Sequence, residues 1–358
     1  VDENKKFCLM MNSTLSVVIH GINDVRIENT PFNDELKAKE VLLKTHFCGI
    51  CGSDMHLLHE GKIGNMAIKE PHIIGHEVSA TVVKVGSEVK NLKIGDHVAI
   101  EPSIACGDCK YCREGNYNLC DQSNDQSIGL PPTDGGMRKY FRHHSSFCHK
   151  LPEKITLQEG ALVEPIACAL YGVQRAGVKI GDKVLVCGAG AISLLSLICA
   201  KAYGAEKICV IDKNVERLKI ADTLGADCTI EVKENMNAQS LAESIERCMG
   251  KVDVSLECTG SQICTQAAIL ASGRGAKIAI VGIGPDLTAV PLSDIIFKEI
   301  DLLGVNKSKN NFPLVIRLLE TGKINVKPLI THIFPIESAL DAFKINSEQK
   351  GIKVLIEF

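Results

Sequence analysis

The stretch KVLVCGAGAIS, residues 183–193, sets a strand-like run, Lys183 to Cys187, against Gly188 and Gly190 and then the helix-like SLLSLICAKAYG. Glycines at those two places allow a tight turn and let backbone N–H groups approach a pyrophosphate at a helix N-terminus, around Ile192. Ser193 stands where the last glycine of the G-x-G-x-x-G pattern falls, a position that serves helix–strand packing and tolerates a small side chain. Alone, the pattern reads equally well as a plain strand–helix turn. The next strand-like run, KICVID, ends at Asp212, roughly 20 residues on, where a carboxylate accepts the ribose hydroxyls of NAD and repels the 2′-phosphate of NADP. Its competing duty is to cap the helix-like VERLKIADTLG. Lys213 and Arg217 lie close enough to soften the preference for NAD.

Outward from this turn, the strand-like VDVSLECTG, AKIAIVGIG and IDLLGV alternate with the helix-like VERLKIADTLG and CTQAAILASG. Such alternation predicts βαβ units and a buried parallel sheet, a doubly wound α/β nucleotide-binding domain over 167–305. From Leu15 to Ile100 the texture differs: SVVIHG, EVLLKTHFCG, EVSATVVKVG and DHVAIEP are short β-type runs between Gly, Pro and charged turns, which predicts a mostly β, barrel-like domain. Strand-like pieces between Met137 and Leu151 keep that texture, and the tail from Asn306 holds a helix-like NFPLVIRLLETG and a last strand, KVLIEF. The expected plan is therefore a catalytic domain of 1–166 plus 306–358, interrupted by the nucleotide domain.

Composition narrows the classes. With 358 residues, 45% of them hydrophobic, the chain is long enough for two ordinary cores. No apolar run approaches the roughly 18 residues of a spanning helix. Forty basic against 43 acidic residues, without a basic stripe, disfavour a nucleic-acid partner. Sixteen cysteines behind a start (VDENKKFCLMM) that lacks a signal-peptide pattern lead to the expectation of a reducing compartment, the cytosol. The segment before about Asn12 carries no legible chemistry.

Four of those cysteines, Cys106, Cys109, Cys112 and Cys120, fall in CGDCKYCREGNYNLC with gaps of two, two and seven residues. Thiolates so spaced let a loop wrap one tetrahedral Zn²⁺, which replaces the core an irregular loop cannot build. Paired disulfides would need an oxidising compartment, and a redox dithiol needs only one CxxC, so zinc is the stronger reading. Such a site is closed and has no place for substrate.

A second constellation leaves one open. Cys51 in GICGSDMH and His76 and Glu77 in IIGHE are zinc-ligand types at strand ends, and three protein ligands leave a position for water or an alcohol. Taken singly, a buried thiol and a satisfied core histidine are the ordinary readings; their company with the four-cysteine loop favours a catalytic zinc.

In order, GICGSD, PHIIGHE, VGSEVKNLKIGDHVAIEP, the four-cysteine loop, EGALVEP, VLVCGAG and VKPLITH resemble the zinc-dependent medium-chain alcohol dehydrogenases. GKIGN, FCHKLP and NVKPLITH make the sorbitol dehydrogenase and ketose reductase branch the best match, from about Leu15 onward. The resemblance implies a GroES-type catalytic domain, and a catalytic zinc on Cys51, His76 and Glu77 with Glu164 approaching through water or exchanging with Glu77. It also implies a hydrogen bond from His76 to Asp54 and a proton relay through Ser53 and His56. The cofactor-binding residues would also include Val281, Gly282 and Ile283, with Arg217 beside Asp212. The cofactors implied are two zinc ions and NAD; the partners are a small alcohol or ketone and further copies of the chain, as a dimer or tetramer.

Where polyol dehydrogenases carry an aromatic residue after the relay histidine and an Arg-Tyr pair after the nucleotide domain, this chain has Leu57–Leu58 and Asn306–Lys307–Ser308. A guanidinium fork is thereby replaced by a point ammonium, which alters polyhydroxyl recognition. Leu57 and Lys307 are the candidate substrate contacts. The expected activity is interconversion of a secondary alcohol and a ketone with NAD, on a polyol such as sorbitol or xylitol. The alternatives are a less hydroxylated, more apolar alcohol, which a leucine-lined pocket would suit, and a catalytically silent cofactor-binding protein.

Overall fold

The computed structural model describes residues 13–358; the first twelve, and with them the start of the expected catalytic domain, lie outside the described residues. The chain divides into two compact units, one reaching to Glu164 and joined by Ile330–Phe358, the other Pro165–Leu329. The second unit thus keeps residues 306–329, which were expected to return to the first. Helix Phe312–Glu320 buries Phe312, Val315, Ile316 and Leu319, and Asn311 Nδ2 donates to the Ala167 carbonyl at 3.3 Å.

The first unit is built on Glu40–Gly49, which pairs antiparallel with Glu77–Val85, Tyr140–His144 and Lys353–Glu357. Six strands of this seven-stranded sheet follow the order Cys148–Lys150, His97–Ile100, Glu77–Val85, Glu40–Gly49, Lys353–Glu357, Ile330–Pro335. A three-stranded sheet places Ser13–Gly21 between Asp24–Pro31 and His72–Ile73. Their apolar faces meet in a core that includes Ile19, Leu43, Ile74, Met137 and Phe141, each buried. At roughly 1.5–3 kcal/mol per large side chain removed from water, this core fixes the strand ends that carry the candidate ligands.

The second unit is a six-stranded parallel sheet in the order Cys228–Glu231, Lys207–Asp212, Lys183–Cys187, Val252–Glu257, Ser272–Ile280, Asp301–Gly304. The strand order turns back beside Lys183–Cys187, so its C-terminal end lies at the switch point where such sheets bind ligands. Helices Ala191–Ala202, Val215–Leu224, Ala238–Met249 and Gln262–Ala271 connect the strands. No helix among the described residues is long and apolar enough to cross a membrane.

One buried group makes the first unit sensitive to acid. His143 is 2% exposed, and its Nε2 donates to the Glu101 carbonyl at 2.9 Å. Burial, opposed only in part by that bond, pushes its pKa down to about 4. The unfolded chain binds this proton near pH 6.5 and the folded one only near 4, so the stabilising difference is complete above the unfolded value and is lost as pH falls through that window. Between pH 7 and 5 urea unfolding should show a loss of about 2 kcal/mol assignable to this residue. In His143→Gln that share should vanish; an unchanged pH slope would refute the assignment.

Candidate active site and metal centres

Helix Gly52–Glu60 begins at Cys51, whose N–H donates to Asp54 Oδ2 at 2.9 Å in a reciprocal capping arrangement. This bond fixes the turn that carries the Cys51 thiol. His76 and Glu77 enter from the start of strand Glu77–Val85, and Glu77 is paired in register with Gly49. A Cβ at Gly49 would overlap the Glu77 carboxylate, so glycine there gives the acid its place. One donor atom each from Cys51, His76 and Glu77 converges, all within 4.8 Å of one another.

The imidazole is oriented on both sides. Nε2 lies 3.4 Å from Ser53 Oγ and Nδ1 lies 3.7 Å from Asp54 Oδ1. The second distance is an ionic approach and not the expected hydrogen bond; both atoms are buried without a hydrogen-bond partner. Burial disfavours charge on His76, yet the Asp54 carboxylate, Cys51 and Glu164 outweigh it and raise its pKa well above the ordinary value. Burial likewise raises the pKa of Asp54, with His76 opposing. A soft sulfur, an imidazole and carboxylates that together favour positive charge are a donor set that fits zinc.

The sequence gives no warning of Lys353. It is 2% exposed, and its Nζ meets both Glu77 oxygens, at 2.7 and 2.5 Å, and the Ile50 carbonyl at 3.3 Å. Burial works against this ammonium, but Glu77 overcomes the penalty and raises its pKa. Glu164, 9% exposed in the first turn of helix Val163–Ala176, contributes negative charge to both His76 and Lys353. The relay candidates sit three residues apart on helix Gly52–Glu60: Ser53 against His76, and His56 near the surface with Nδ1 2.8 Å from Glu60 Oε1. His59 is exposed, bonded to Asn23 and Ser347. Leu57 is a correction: with Leu58 it is packed in the core, 0% exposed, and offers no surface to a substrate. Lys307 lies half-buried in the second unit, at φ 54°.

In the cysteine loop the Cys106 sulfur lies 3.8 Å from that of Cys112 and 3.6 Å from that of Cys120. Tetrahedral zinc with bonds of about 2.3 Å holds its sulfurs about 3.8 Å apart, so the loop is shaped for it. Backbone N–H groups of Asp108 and Cys109 point at the Cys106 sulfur, and that of Cys112 at Cys109, as suits thiolates.

In the second unit, Gly188 has φ +98°, and a Cβ there would come within 2.7 Å of Ser193 Oγ. The serine in place of the third glycine thus packs against the first. Gly190 caps helix Ala191–Ala202, whose first turn holds the half-buried Ile192. Asp212 accepts N–H bonds from Ala189 at 2.6 Å and Asn214 at 2.7 Å, which ties the strand end to the glycine turn. The helix after it is capped by Asn214, not by Asp212, so the competing reading falls away. Arg217 lies near both: an added Gly190 Cβ would be 3.9 Å from it, and the Asp212 charge acts on it. The N–H groups of Val281 and Gly282 donate to the Glu257 carbonyl, and Gly282 packs so closely on Thr259 and Gly260 that no side chain fits. Ile283 next to them is 54% exposed. Glu257, missed in the sequence, is fully buried and holds that loop by accepting from the Thr259 N–H and hydroxyl and the Gly260 N–H.

Two family models match, the alcohol dehydrogenase GroES-like domain over residues 37–153 and the zinc-binding dehydrogenase over 191–321. The chain belongs to the zinc-dependent medium-chain alcohol dehydrogenases. Within that class it is similar to sorbitol dehydrogenases: it is 44% identical over 344 residues to the sorbitol dehydrogenase of Bos taurus, covering 96% of each chain. Among solved structures, 2R,3R-butanediol dehydrogenase from Bacillus subtilis superposes with TM-score 0.87 at 32% identity, over 97% of this chain and 100% of that one. A protein described as a short chain alcohol dehydrogenase from Escherichia coli, complexed with NADH, gives TM-score 0.88 at 28% identity, over 97% and 100%.

Proposed function

We propose that this chain is an NAD-dependent, zinc-dependent polyol dehydrogenase that interconverts a secondary alcohol and its ketone. The observation that carries the reading is the convergence of Cys51, His76 and Glu77 within 4.8 Å, beside Ser53 and under the charge of Glu164. Cys51, His76 and Glu77 would hold the catalytic zinc, and Cys106, Cys109, Cys112 and Cys120 the structural one. Zinc at the first site would supply a Lewis acid for the substrate oxygen, and NAD would supply the hydride acceptor.

The protein's own groups do the rest. Asp54 faces the His76 ring with its charge, 3.7 Å from Nδ1, and favours the charged imidazole. Lys353 fixes the Glu77 carboxylate and balances its charge. Ser53 takes the substrate hydroxyl proton as it passes its own toward His56, which lies on the same helix face and delivers it to solvent. Glu164 adds negative charge to the surroundings of His76 and Lys353. Gly188, Gly190 and Ile192 receive the pyrophosphate, Asp212 and Arg217 the adenosine ribose, and Val281, Gly282 and Ile283 the nicotinamide side. Lys307 is left as the candidate donor to a substrate hydroxyl.

The polyol reading is favoured over the apolar alternative because burial of Leu57 and Leu58 removes the leucine-lined pocket on which that alternative rests. Steady-state oxidation of sorbitol, xylitol, 2,3-butanediol and a benzylic alcohol with NAD tests it. Sorbitol or xylitol should give the highest kcat/KM; brisk turnover of the benzylic alcohol with negligible polyol oxidation would overturn it. Tight NADH binding without turnover of any alcohol would instead show a silent protein.

Asp212 sets the choice of cofactor. Its two accepted N–H bonds leave carboxylate lone pairs for ribose hydroxyls. Asp212→Ser should shift the ratio of kcat/KM for NADP over NAD upward on the order of 10- to 100-fold, the worth of charge-assisted hydrogen bonds lost and a repulsion relieved. An unmoved ratio would remove Asp212 from the ribose site.

The chain also associates with itself in this reading. Among the described residues Asp301–Gly304 ends the parallel sheet as an edge strand, and Leu302 on it and Leu292, Ile296 and Phe297 of the preceding helix are exposed. Phe297→Asp should convert a dimer or tetramer to a smaller species in sedimentation, whereas an unchanged sedimentation coefficient would place the contact elsewhere. The free thiols of the metal loop and of Cys51 suit a reducing compartment, the cytosol, where the Cys228–Cys248 pair would stand reduced.

A further inference from the structure

Among the described residues a third cluster of metal-ligand type has no part in either zinc site. Cys209, on strand Lys207–Asp212, is the register partner of Cys228 on the neighbouring parallel strand. Cys248 reaches them from the last turn of helix Ala238–Met249. Their three sulfurs lie within 4.8 Å of one another; Cys209 is fully buried and the other two half-buried. In the structure Cys228 and Cys248 are joined as a disulfide, with Cys209 a free thiol beside them.

We infer that Cys209, Cys228 and Cys248, once the disulfide is reduced, form a three-sulfur site for a soft, low-coordinate metal ion, with Cu(I) as the matching chemistry. Sulfur donors select soft ions. No carboxylate or imidazole belongs to the cluster, so it offers a hard cation no charged oxygen. The surroundings are apolar, with Leu241, Ile245 and Met249 of the same helix packed in this core. Zinc in a protein prefers a fourth ligand, and three sulfurs in an apolar pocket suit a trigonal monovalent ion better. The Lys207 ammonium donates to the Cys248 carbonyl at 2.7 Å; burial pushes the Cys209 thiol up to about 12, and the Lys207 charge opposes that only in part, so the incoming metal must displace the proton. The ammonium offsets part of the negative charge that three thiolates and one monovalent ion leave.

The chemistry balances in two steps. A phosphine and one water reduce the disulfide to two thiols, the phosphine leaving as its oxide. Cu(I) then binds three sulfurs and releases the three thiol protons to solvent, without a change in oxidation state.

The test uses the whole enzyme with both zincs loaded, reduced with a phosphine under anaerobic conditions and titrated with Cu(I) against a chromogenic bicinchoninate competitor. Copper and zinc are then counted per chain. One retained copper is expected, with zinc unchanged, and it should be lost in each of Cys209→Ser, Cys228→Ser and Cys248→Ser. The half-buried Cys228 and Cys248 variants carry the test if the Cys209 variant does not fold, and NADH binding reports folding. Copper equally retained in the folded variants, copper gained only as zinc is lost, or no copper held against the competitor would each overturn the site.

Discussion

Cys51→Ala is expected to hold one zinc per chain where the parent holds two, to bind NADH unchanged, and to lose turnover by on the order of 10³-fold or more. Stabilising the developing alkoxide is worth several kcal/mol to a metal-assisted reaction, and each 1.36 kcal/mol is tenfold in rate. Alanine removes the one sulfur of the cluster and leaves His76 and a carboxylate, too few protein ligands for a lasting site. The retained zinc is the control: the four-cysteine loop draws on none of these residues, so its metal should stay. Cys51 is also the N-cap of helix Gly52–Glu60, but the bond from its backbone N–H to Asp54 survives the substitution. Circular dichroism and NADH affinity should therefore match the parent. Two zincs with full activity in Cys51→Ala would refute the assignment of the catalytic metal. Loss of both zincs would show that the two sites are not independent.

Much of this architecture is legible in the sequence because it is written in local periodicity. The runs KVLVC and KICVID coincide with strands Lys183–Cys187 and Lys207–Asp212, and the glycine turn between them needs only neighbours in sequence to be understood. Helix Ala238–Met249 was equally open to reading, since Leu241, Ala242, Ile245 and Met249 keep a helical spacing, but the short strand Cys228–Glu231 before it has too few residues to show a period. The zinc-ligand candidates are recognisable by type and spacing. What supports them is not. Lys353 lies 276 positions from Glu77, at the start of an apolar strand where a lysine ordinarily reaches solvent. Its burial follows from a strand covered on both faces, which is a tertiary fact. The three clustered cysteines of the nucleotide unit are likewise scattered in sequence and meet only through strand register and a helix end. Leu57 shows the converse error, for its place beside the relay histidine suggests a pocket wall while its helix turns it into the core. The segment 306–329 follows the last parallel strand, and its apolar helix face is buried within the nucleotide unit, which sequence texture alone does not reveal.

Lys353→Met should destabilise the protein by about 3–5 kcal/mol, toward the lower figure while zinc remains bound. The lysine is 2% exposed and Glu77 1% exposed, so neither charge has water to fall back on. Methionine fills much of the same volume, which isolates the loss of charge from the loss of packing. What remains is a buried carboxylate beside Cys51 and His76, and the removal of one partner of such a pair costs more than the pair itself contributes. Glu77→Gln alone leaves the ammonium buried with the amide and the Ile50 carbonyl as hydrogen-bond partners and only the more distant charges of Cys51 and Glu164, and should cost a comparable amount. The double variant Lys353→Met/Glu77→Gln removes both charges and should recover most of the stability of either single variant, a non-additivity expected of residues in contact. Urea unfolding of the four proteins measures the coupling, and zinc content with polyol turnover reads the site itself. The double variant should be well folded and nearly inactive, because a neutral amide is a poor third ligand beside Cys51 and His76. Additive losses with no recovery would mean that Lys353 stabilises by its stem alone, and full activity in the double variant would remove Glu77 from the metal.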